Sequence, residues 1–140
     1  MDFLFGVPAN EDLGYDIETY PNTFTCVIKT MDKRQRWRFE LSPRKRELHL
    51  FRAFIEVLAQ NGNRMVGLRS IGFDYPVVHY IMMNQFITVH DIYQKAMSII
   101  HAPDEARFTH RVWESEHIVP QVDLFKIHHF DNRAKTTNLK

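Results

Sequence analysis

The sequence predicts an α/β domain in which a mixed sheet is covered by helices. Three alternating segments follow one another between residues 13 and 41, which indicates antiparallel strands joined by tight turns. Further along, two short apolar segments alternate with three segments of helical periodicity. The 140 residues, of which 44% are hydrophobic and eleven are Phe, suffice for one core and leave hardly any room for two.

The composition narrows the classes of protein to which the chain can belong. Eighteen basic and seventeen acidic residues argue against histone-like or tail-driven nucleic-acid binding, but leave a local basic patch open. The single cysteine, Cys26, excludes an intrachain disulfide framework and a zinc ribbon, and the eight histidines lack the spacing of a zinc site. No apolar run is long enough for a bilayer and no basic segment precedes one at the start, so we predict no membrane, no signal peptide and a cytoplasmic location.

The first part of the chain predicts a three-stranded meander. A lead-in over residues 1–12, which we expect to be loosely held, precedes the first strand at residues 13–19. A Tyr-Pro-Asn turn signal at residues 20–22 leads into the second strand, residues 23–30. After a short polar tip, the third strand at residues 36–41 again alternates apolar and polar side chains, as a half-buried strand does.

Three helices and two further strands are predicted after the meander. Ser42, followed by Pro43, predicts the N-cap of the first helix, which continues to residue 60 on an apolar stripe. Asp74 predicts the N-cap of the second helix, and Thr88 with Asp91 matches the capping-box pattern for the third. The two strands are expected at residues 64–69 and 122–127, and a polar tail at residues 128–140.

The carboxylates of the first strand are the most informative feature of the sequence. Asp16 and Glu18 are two residues apart, so both side chains point to the same face of the strand. They represent either the solvated acidic face of an edge strand or a site at which a divalent cation offsets their mutual repulsion. Asp74, which follows the short fourth strand, favours the interpretation as a cation site, because it makes a third carboxylate available. Hard oxygen ligands select Mg²⁺ or Mn²⁺ over zinc.

Four segments of the sequence point to one family. Residues 16–19, Asp-Ile-Glu-Thr, and residues 66–77, which contain Phe-Asp, resemble the first two motifs of the DEDD-type 3′→5′ exonucleases. Residues 122–126 resemble a later strand, and residues 130–140 resemble the segment that leads into the final helices in bacteriophage DNA-polymerase exonuclease domains. The resemblance covers nearly the whole chain. It implies a single domain over residues 1–140 with the RNase H-like, or DnaQ-like, fold: an antiparallel meander followed by alternating helices and parallel strands.

The resemblance also implies an activity and a site. The activity is removal of nucleotides from the 3′ end of single-stranded DNA, with two Mg²⁺ or Mn²⁺ ions as cofactors. Asp16 is implied to bridge both ions, Glu18 to bind the ion that activates the attacking water, and Asp74 to hold the second ion. Tyr20 is implied to flank the terminal nucleotide, or is simply a turn aromatic. Phe73 stacks on a base or, as the simpler interpretation, belongs to the core.

The sequence departs from the family at two places. Arg69 or Ser70 stands where the second motif usually has Asn, which affects a polar contact near the substrate. The third motif, Tyr-x(3)-Asp or His-x(4)-Asp, is absent, because none of the nine Asp residues follows Tyr or His at that spacing. The fourth carboxylate, the general base and the final helices are therefore missing from the expected domain.

This absence leaves an alternative open. The chain is either an exonuclease domain, attached to a polymerase domain and located in the host cytoplasm if phage-encoded, or a truncated or catalytically incomplete module. Such a module would bind nucleic acid or a protein partner without cutting. A further variant is half of a split exonuclease, in which a second chain supplies the missing helices.

Basic residues are concentrated in one part of the sequence. Eight of the eighteen lie between Lys29 and Arg46. They form either a patch that follows the phosphates of a nucleic acid, with Arg36 and Arg38 as contacts, or a solvated hairpin and helix start. Arg69, beside the second motif, is a further candidate for nucleic-acid binding.

Overall fold

A computed structural model describes residues 5–103, 106 and 109–125 of the chain. Within these residues lie five strands and three α-helices. Their order is β1 (Asp12–Tyr20), β2 (Thr23–Thr30), β3 (Arg36–Leu41), α1 (Leu48–Gln60), β4 (Arg64–Gly67), α2 (Asp74–Met83), α3 (Val89–Ile100) and β5 (Gln121–Asp123). A short 3-10 turn at Glu114–Glu116 precedes β5. In this part of the chain, no helix has the length and apolar character needed to cross a membrane.

The five strands form one mixed sheet in the order β3-β2-β1-β4-β5. β1, β2 and β3 are antiparallel neighbours, whereas β4 runs parallel to β1 and β5 runs parallel to β4. The central strand β1 therefore has an antiparallel neighbour on one side and a parallel neighbour on the other. This arrangement confirms the predicted fold class, a mixed α/β sheet in which a three-stranded meander is followed by alternating helices and strands.

The two faces of the sheet differ in character. On one face, Leu13, Tyr15 and Ile17 of β1 are buried in a core that also contains apolar side chains of all three helices. We call the other face the open face. It consists of Gly14, Asp16, Glu18 and Tyr20 of β1 with the β2 and β3 residues opposite them, Thr23, Thr25, Val27, Lys29, Arg36, Arg38 and Glu40. The alternation of the meander strands thus separates a core face from a face rich in charge.

The lead-in is held more firmly than expected. The carbonyl of Phe5 accepts a hydrogen bond from the Trp37 indole at 3.0 Å, and that of Gly6 accepts one from the Gln35 side chain at 2.8 Å. Val7 is buried, and the Phe5 ring packs edge-on against aromatic rings of the core. The prediction of a loose segment is therefore wrong for residues 5–8. Residues 1–4 lie outside the described part.

The first helix begins later than predicted. α1 starts at Leu48, and Ser42 is not its N-cap. The Ser42 hydroxyl donates instead to Glu40 Oε2 at 2.6 Å and accepts from the backbone N–H groups of Arg44 and Lys45, which closes a local turn. The Glu47 N–H then donates to the Glu40 carbonyl, so the segment after the turn pairs with the backbone of β3 before the helix begins.

The later elements follow the prediction with two changes of length. The capping box of α3 is confirmed, since Thr88 and Asp91 exchange side-chain hydrogen bonds with each other's backbone. β4 ends at Gly67 rather than at residue 69, because Arg69 adopts a left-handed conformation with φ of 58°. β5 is shorter than predicted, since the chain enters a helical turn at residue 124. Residues 126–140, which include the expected tail, lie outside the described part.

Candidate active site

The acidic pair of β1 lies where its spacing predicts. Asp16 and Glu18 are both exposed on the open face, opposite Val27 and Thr25 of β2. Tyr20 shares this face, is 52% exposed, and donates a hydrogen bond from its hydroxyl to Glu18 Oε2 at 3.3 Å. The end of β1 therefore presents two carboxylates and an aromatic ring in sequence along one line.

Asp74 reaches the same strand from the other side. β1 and β4 pair only as far as Gly14, which lies opposite Val66. Beyond that point the Ile17 N–H donates to Asp74 Oδ2 at 3.2 Å. This bond fixes the Asp74 carboxylate to the backbone of β1 between the two acidic residues of the pair. The bond lies just beyond the end of the β1–β4 pairing, and the carboxyl ends of parallel strands are a common place for sites in α/β sheets.

The prediction that Asp74 is the N-cap of α2 is wrong. The residue at the cap position is Phe73, which provides no side-chain cap, and Asp74 is the first residue of the helix. The carboxylate is engaged by Ile17 of β1 instead of by its own helix. Its place in the first turn still suits a negative charge, because the N-terminus of a helix carries partial positive charge.

The electrostatics of Asp74 are unusual for a carboxylate. Its side chain is only 8% exposed, and burial raises its pKa to about 6, against an ordinary 3.8. The Ile17 N–H acts in the opposite direction, while the charges of Asp16 and Asp123 raise the pKa further. In the part of the chain that the structure describes, no Lys, Arg or His forms an ion pair with Asp16, Glu18 or Asp74. Among the described residues, the negative charge of this group of side chains therefore has no counter-charge.

The three predicted metal ligands do not form a closed set. Within residues 5–103, 106 and 109–125, no three His, Cys, Asp or Glu side chains are grouped closely enough to hold a metal ion. The structure brings Asp74 into electrostatic range of Asp16, and places Glu18 on the same face as Asp16. These donors are all carboxylate oxygens, which is the chemistry that Mg²⁺ and Mn²⁺ prefer.

Sequence reasoning missed one acidic residue of this region. Asp123, at the end of β5, is only 4% exposed. Its carboxylate accepts hydrogen bonds from the backbone N–H groups of Arg69 at 2.9 Å, Ile71 at 3.1 Å and Phe125 at 3.0 Å. The available signal was an acidic residue within the apolar run Val-Asp-Leu-Phe, where a polar group needs a specific partner.

The candidates near the second motif have separate environments. Arg69 is exposed, and its guanidinium lies 4.1 Å from the centre of the Phe125 ring. Ser70 is fully buried, and its hydroxyl oxygen has no hydrogen-bond partner among the residues that the structure describes. Phe73 is partly buried against the core, which agrees with the packing interpretation. Neither residue at the position of the family's Asn therefore presents a comparable amide toward the open face.

The basic residues of the open face fall into two groups. Arg38 Nη1 and Arg44 Nε contact the carboxylate of Glu40 at 3.0 Å and 2.9 Å, and are committed to it. The side chains of Lys29 and Arg36 form no ion pair or hydrogen bond with any residue that the structure describes. They line a groove of about 430 Å³ that reaches Asp16, together with Gly14, Tyr15, Val27, Met31, Val66, Gly67, Leu68 and Leu124.

Comparisons with known proteins give matches to solved structures alone. No protein family matches the chain, and no curated protein does. The chain is similar to Exonuclease I of E. coli in complex with a dT13 oligonucleotide, with 12% identity, a TM-score of 0.48, and coverage of 94% of this chain and 32% of that one. The complex with a 5cy-dA13 oligonucleotide gives 15% identity, a TM-score of 0.45 and the same coverage. The chain thus spans 32% of the length of Exonuclease I, and the assignment of the fold rests on the strand order described above.

Proposed function

We propose that this chain is a nuclease domain that depends on divalent metal ions and shortens single-stranded DNA from its 3′ end. The observation that carries the proposal is the position of Asp74. Its buried carboxylate is bound to the backbone of β1 between Asp16 and Glu18, and no described cationic side chain neutralises the three. The likeness of residues 16–19 and 66–77 to exonuclease motifs supports the same conclusion.

A bound divalent cation would explain why the carboxylates of Asp16, Glu18 and Asp74 lie near one another, which the contacts within the fold do not explain. A buried carboxylate destabilises the folded state unless it is paired, and a second carboxylate nearby increases that cost. Asp16, Glu18 and Asp74 would hold Mg²⁺ or Mn²⁺. When bound, such ions supply activation of the attacking water and stabilisation of the leaving 3′ oxygen. The chain's own contribution is to fix the Asp74 carboxylate through the Ile17 N–H, which holds this ligand beside β1 between Asp16 and Glu18.

The open face also carries groups suited to a single strand. Tyr20 offers an exposed ring beside Glu18, and aromatic rings stack on bases regardless of their sequence. Arg36 and Lys29, which pair with no described side chain, offer positive charge for phosphates on the same face. We propose that the strand lies across this face with its 3′ end at Asp16. Of the other candidates, Arg38 is engaged by Glu40, and Phe73 packs against the core, so we assign them smaller roles.

One observation favours a second candidate function. The carboxylates do not form a closed ligand set among the described residues, and the third motif is absent from the sequence. Met31, Leu68 and Leu124 are about half exposed around the groove beside Asp16. A chain with this surface is also suited to be part of a split exonuclease, or a module that binds DNA without cutting. A polymerase domain or a second chain would then be the partner, as the likeness to phage exonuclease domains implies.

The experiment that tests the proposal is a cleavage assay. The purified chain is incubated with an oligonucleotide labelled to report loss from the 3′ end, with Mg²⁺ or Mn²⁺ titrated. Asp16→Ala should abolish stepwise shortening, whereas Asp12→Asn should retain it. Asp12 is a matched control because it is an acidic residue of the same strand that pairs with Arg64 away from the site. Cleavage that persists in Asp16→Ala, or that needs no metal, would contradict the proposal. Metal-dependent DNA binding without cleavage would favour the second candidate.

A further inference from the structure

The segment between β4 and α2 is held by a carboxylate from the neighbouring strand. We propose that Asp123 is a positioning residue, which places Asp74 against β1 by fixing the backbone of residues 69–71. The catalytic importance of this placement rests on the proposed function. The placement itself is a property of the folded chain and is testable without any activity.

The register of the sheet explains how Asp123 reaches this segment. Asp123 lies directly opposite Gly67, the last residue of β4. The chain turns immediately after Gly67, and the turn is tight, because a Cβ atom at Gly67 would lie 2.6 Å from the Cβ of Ser70. Within this turn, the backbone N–H groups of Arg69 and Ile71 donate to the two oxygens of the Asp123 carboxylate.

These hydrogen bonds stabilise a backbone that would otherwise be strained. Arg69 has φ of 58°, a conformation that residues other than Gly adopt at a cost. Hydrogen bonds from N–H groups to a charged carboxylate are among the stronger ones in proteins, and the site of Asp123 is buried. From this fixed turn the chain continues through a second contact, in which the Ser70 carbonyl accepts from Tyr75 N–H at 2.7 Å. Asp74 therefore lies in the chain between the turn that Asp123 holds and Tyr75, whose N–H is bound to Ser70.

The environment of Asp123 distinguishes it from a metal ligand. Oδ1 accepts from two N–H groups and Oδ2 from one, so both oxygens are engaged by the backbone. Asp16, in contrast, is exposed on the open face, and Asp74 accepts one hydrogen bond from β1. Asp123 therefore acts through the turn, and Asp74 is the residue whose position it determines.

The test is amide hydrogen exchange of the free protein, measured residue by residue by NMR. The Ile17 amide reports on the position of Asp74, because it donates to Asp74 Oδ2. In Asp123→Asn, we expect exchange at Arg69, Ile71 and Ile17 to become at least about tenfold faster relative to the amides of β2. Asp74→Ala gives the exchange rate of Ile17 when its acceptor is absent.

A control separates positioning from a general loss of stability. Asn63 is also fully buried, and its side chain donates to the carbonyls of Pro8 and Glu11 at the opposite end of β4. Asn63→Ala should lower the melting temperature without a selective change at Ile17. If Asp123→Asn does not fold, Asp123→Ser, which keeps one acceptor oxygen, takes its place. Faster exchange at Arg69 and Ile71 with no selective change at Ile17 would overturn the proposal. Unchanged exchange at each of these three amides would overturn it as well.

A parallel assay links the positioning to the proposed function. We expect the Mn²⁺ concentration that gives half-maximal cleavage to rise about tenfold in Asp123→Asn and to stay unchanged in Asn63→Ala. If the wild-type chain does not cleave DNA, the proposed function fails, while the exchange at Ile17 still decides the role of Asp123. If the wild type cleaves and Asp123→Asn has a wild-type metal requirement and unchanged Ile17 exchange, the inference about Asp123 alone is wrong.

Discussion

Two buried carboxylates of this protein have opposite environments. Glu40 is 3% exposed and Asp74 is 8% exposed. The Arg44 guanidinium, followed by the Ser42 hydroxyl and Arg38, holds the pKa of Glu40 well below its ordinary value. Burial raises the pKa of Asp74 to about 6, and the hydrogen bond from Ile17 offsets only part of the rise. The described part of the chain supplies a counter-charge for Glu40 and none for Asp74.

The difference teaches how a structural carboxylate is distinguished from one available for chemistry. Glu40 fixes a turn and two arginines, so its charge is used within the fold. Asp74 is fixed through a backbone N–H, which orients the carboxylate without neutralising it. A buried acid that the protein orients but leaves uncompensated is suited to a cation from solution.

The largest effect is expected on cleavage. Asp74→Asn should lower the rate of nucleotide release by about 100-fold or more, because the amide keeps the shape but not the charge that a divalent cation needs. Glu40→Gln should lower the rate by less than about tenfold, since its role is structural. Both rates are measured at a temperature at which each variant is folded. Equal losses in the two variants would remove the distinction between the carboxylates.

The next effect is on stability as a function of pH in the absence of metal. The folded-state pKa of Asp74, about 6, lies above its ordinary value of 3.8, so the folded state binds this proton more tightly than the unfolded state. The free energy of unfolding should therefore decrease as pH rises from about 4 to 7, by about 2 kcal/mol from this group. Asp74→Asn should lack that decrease, and urea denaturation at several pH values measures the difference between the variant and the wild type.

Glu40 should show the opposite sign in the same experiment. Its folded-state pKa lies below the ordinary value of 4.5, so its stabilising contribution is present above that pH and is lost as pH falls. Glu40→Gln should therefore be less stable than the wild type at pH 7, and the difference should narrow in acid. A difference that widens in acid would contradict the ion-pair account of Glu40.

The smallest effect is expected on DNA binding by the two arginines of β3. Arg36→Gln should weaken binding of a single-stranded oligonucleotide several-fold. It should also reduce the slope of log affinity against log salt concentration by about one, as expected for the loss of one phosphate contact. Arg38→Gln should change binding less, because Arg38 is engaged by Glu40, and should lower the melting temperature instead. The affinities of the two variants for the oligonucleotide are measured by fluorescence anisotropy at several salt concentrations, with Ca²⁺ in place of Mg²⁺. A larger effect from Arg38 than from Arg36 would reverse the assignment.

Much of the fold was predictable because it is encoded locally. Alternation predicted the three strands of the meander, and the Thr88–Asp91 pattern predicted the capping box of α3. The start of α1 was not predictable from Ser42 and Pro43, because the segment that follows them pairs with the backbone of β3 at Glu40 before the helix begins. Local signals thus failed where a long-range or buried contact competes with them.

The face that Asp16 and Glu18 share was predictable, but the contacts around the candidate site were not. Spacing alone placed Asp16 and Glu18 on one face. The bond from Ile17 to Asp74 depends on where β1 and β4 cease to pair, and the role of Asp123 depends on the register of β4 with β5. Neither register is readable from the sequence. The difference between Arg36 and Arg38 was likewise hidden, since it depends on the burial of Glu40.

Direct measurement of metal binding tests the central claim most simply. Mn²⁺ is titrated into the wild-type chain, Asp74→Asn and Glu40→Gln, and free Mn²⁺ is followed by electron paramagnetic resonance. We expect the wild type and Glu40→Gln to bind Mn²⁺ with the same affinity, and Asp74→Asn to bind it at least about tenfold more weakly. Absence of Mn²⁺ binding to the folded wild type, or unchanged binding in Asp74→Asn, would contradict the claim that these carboxylates hold the metal.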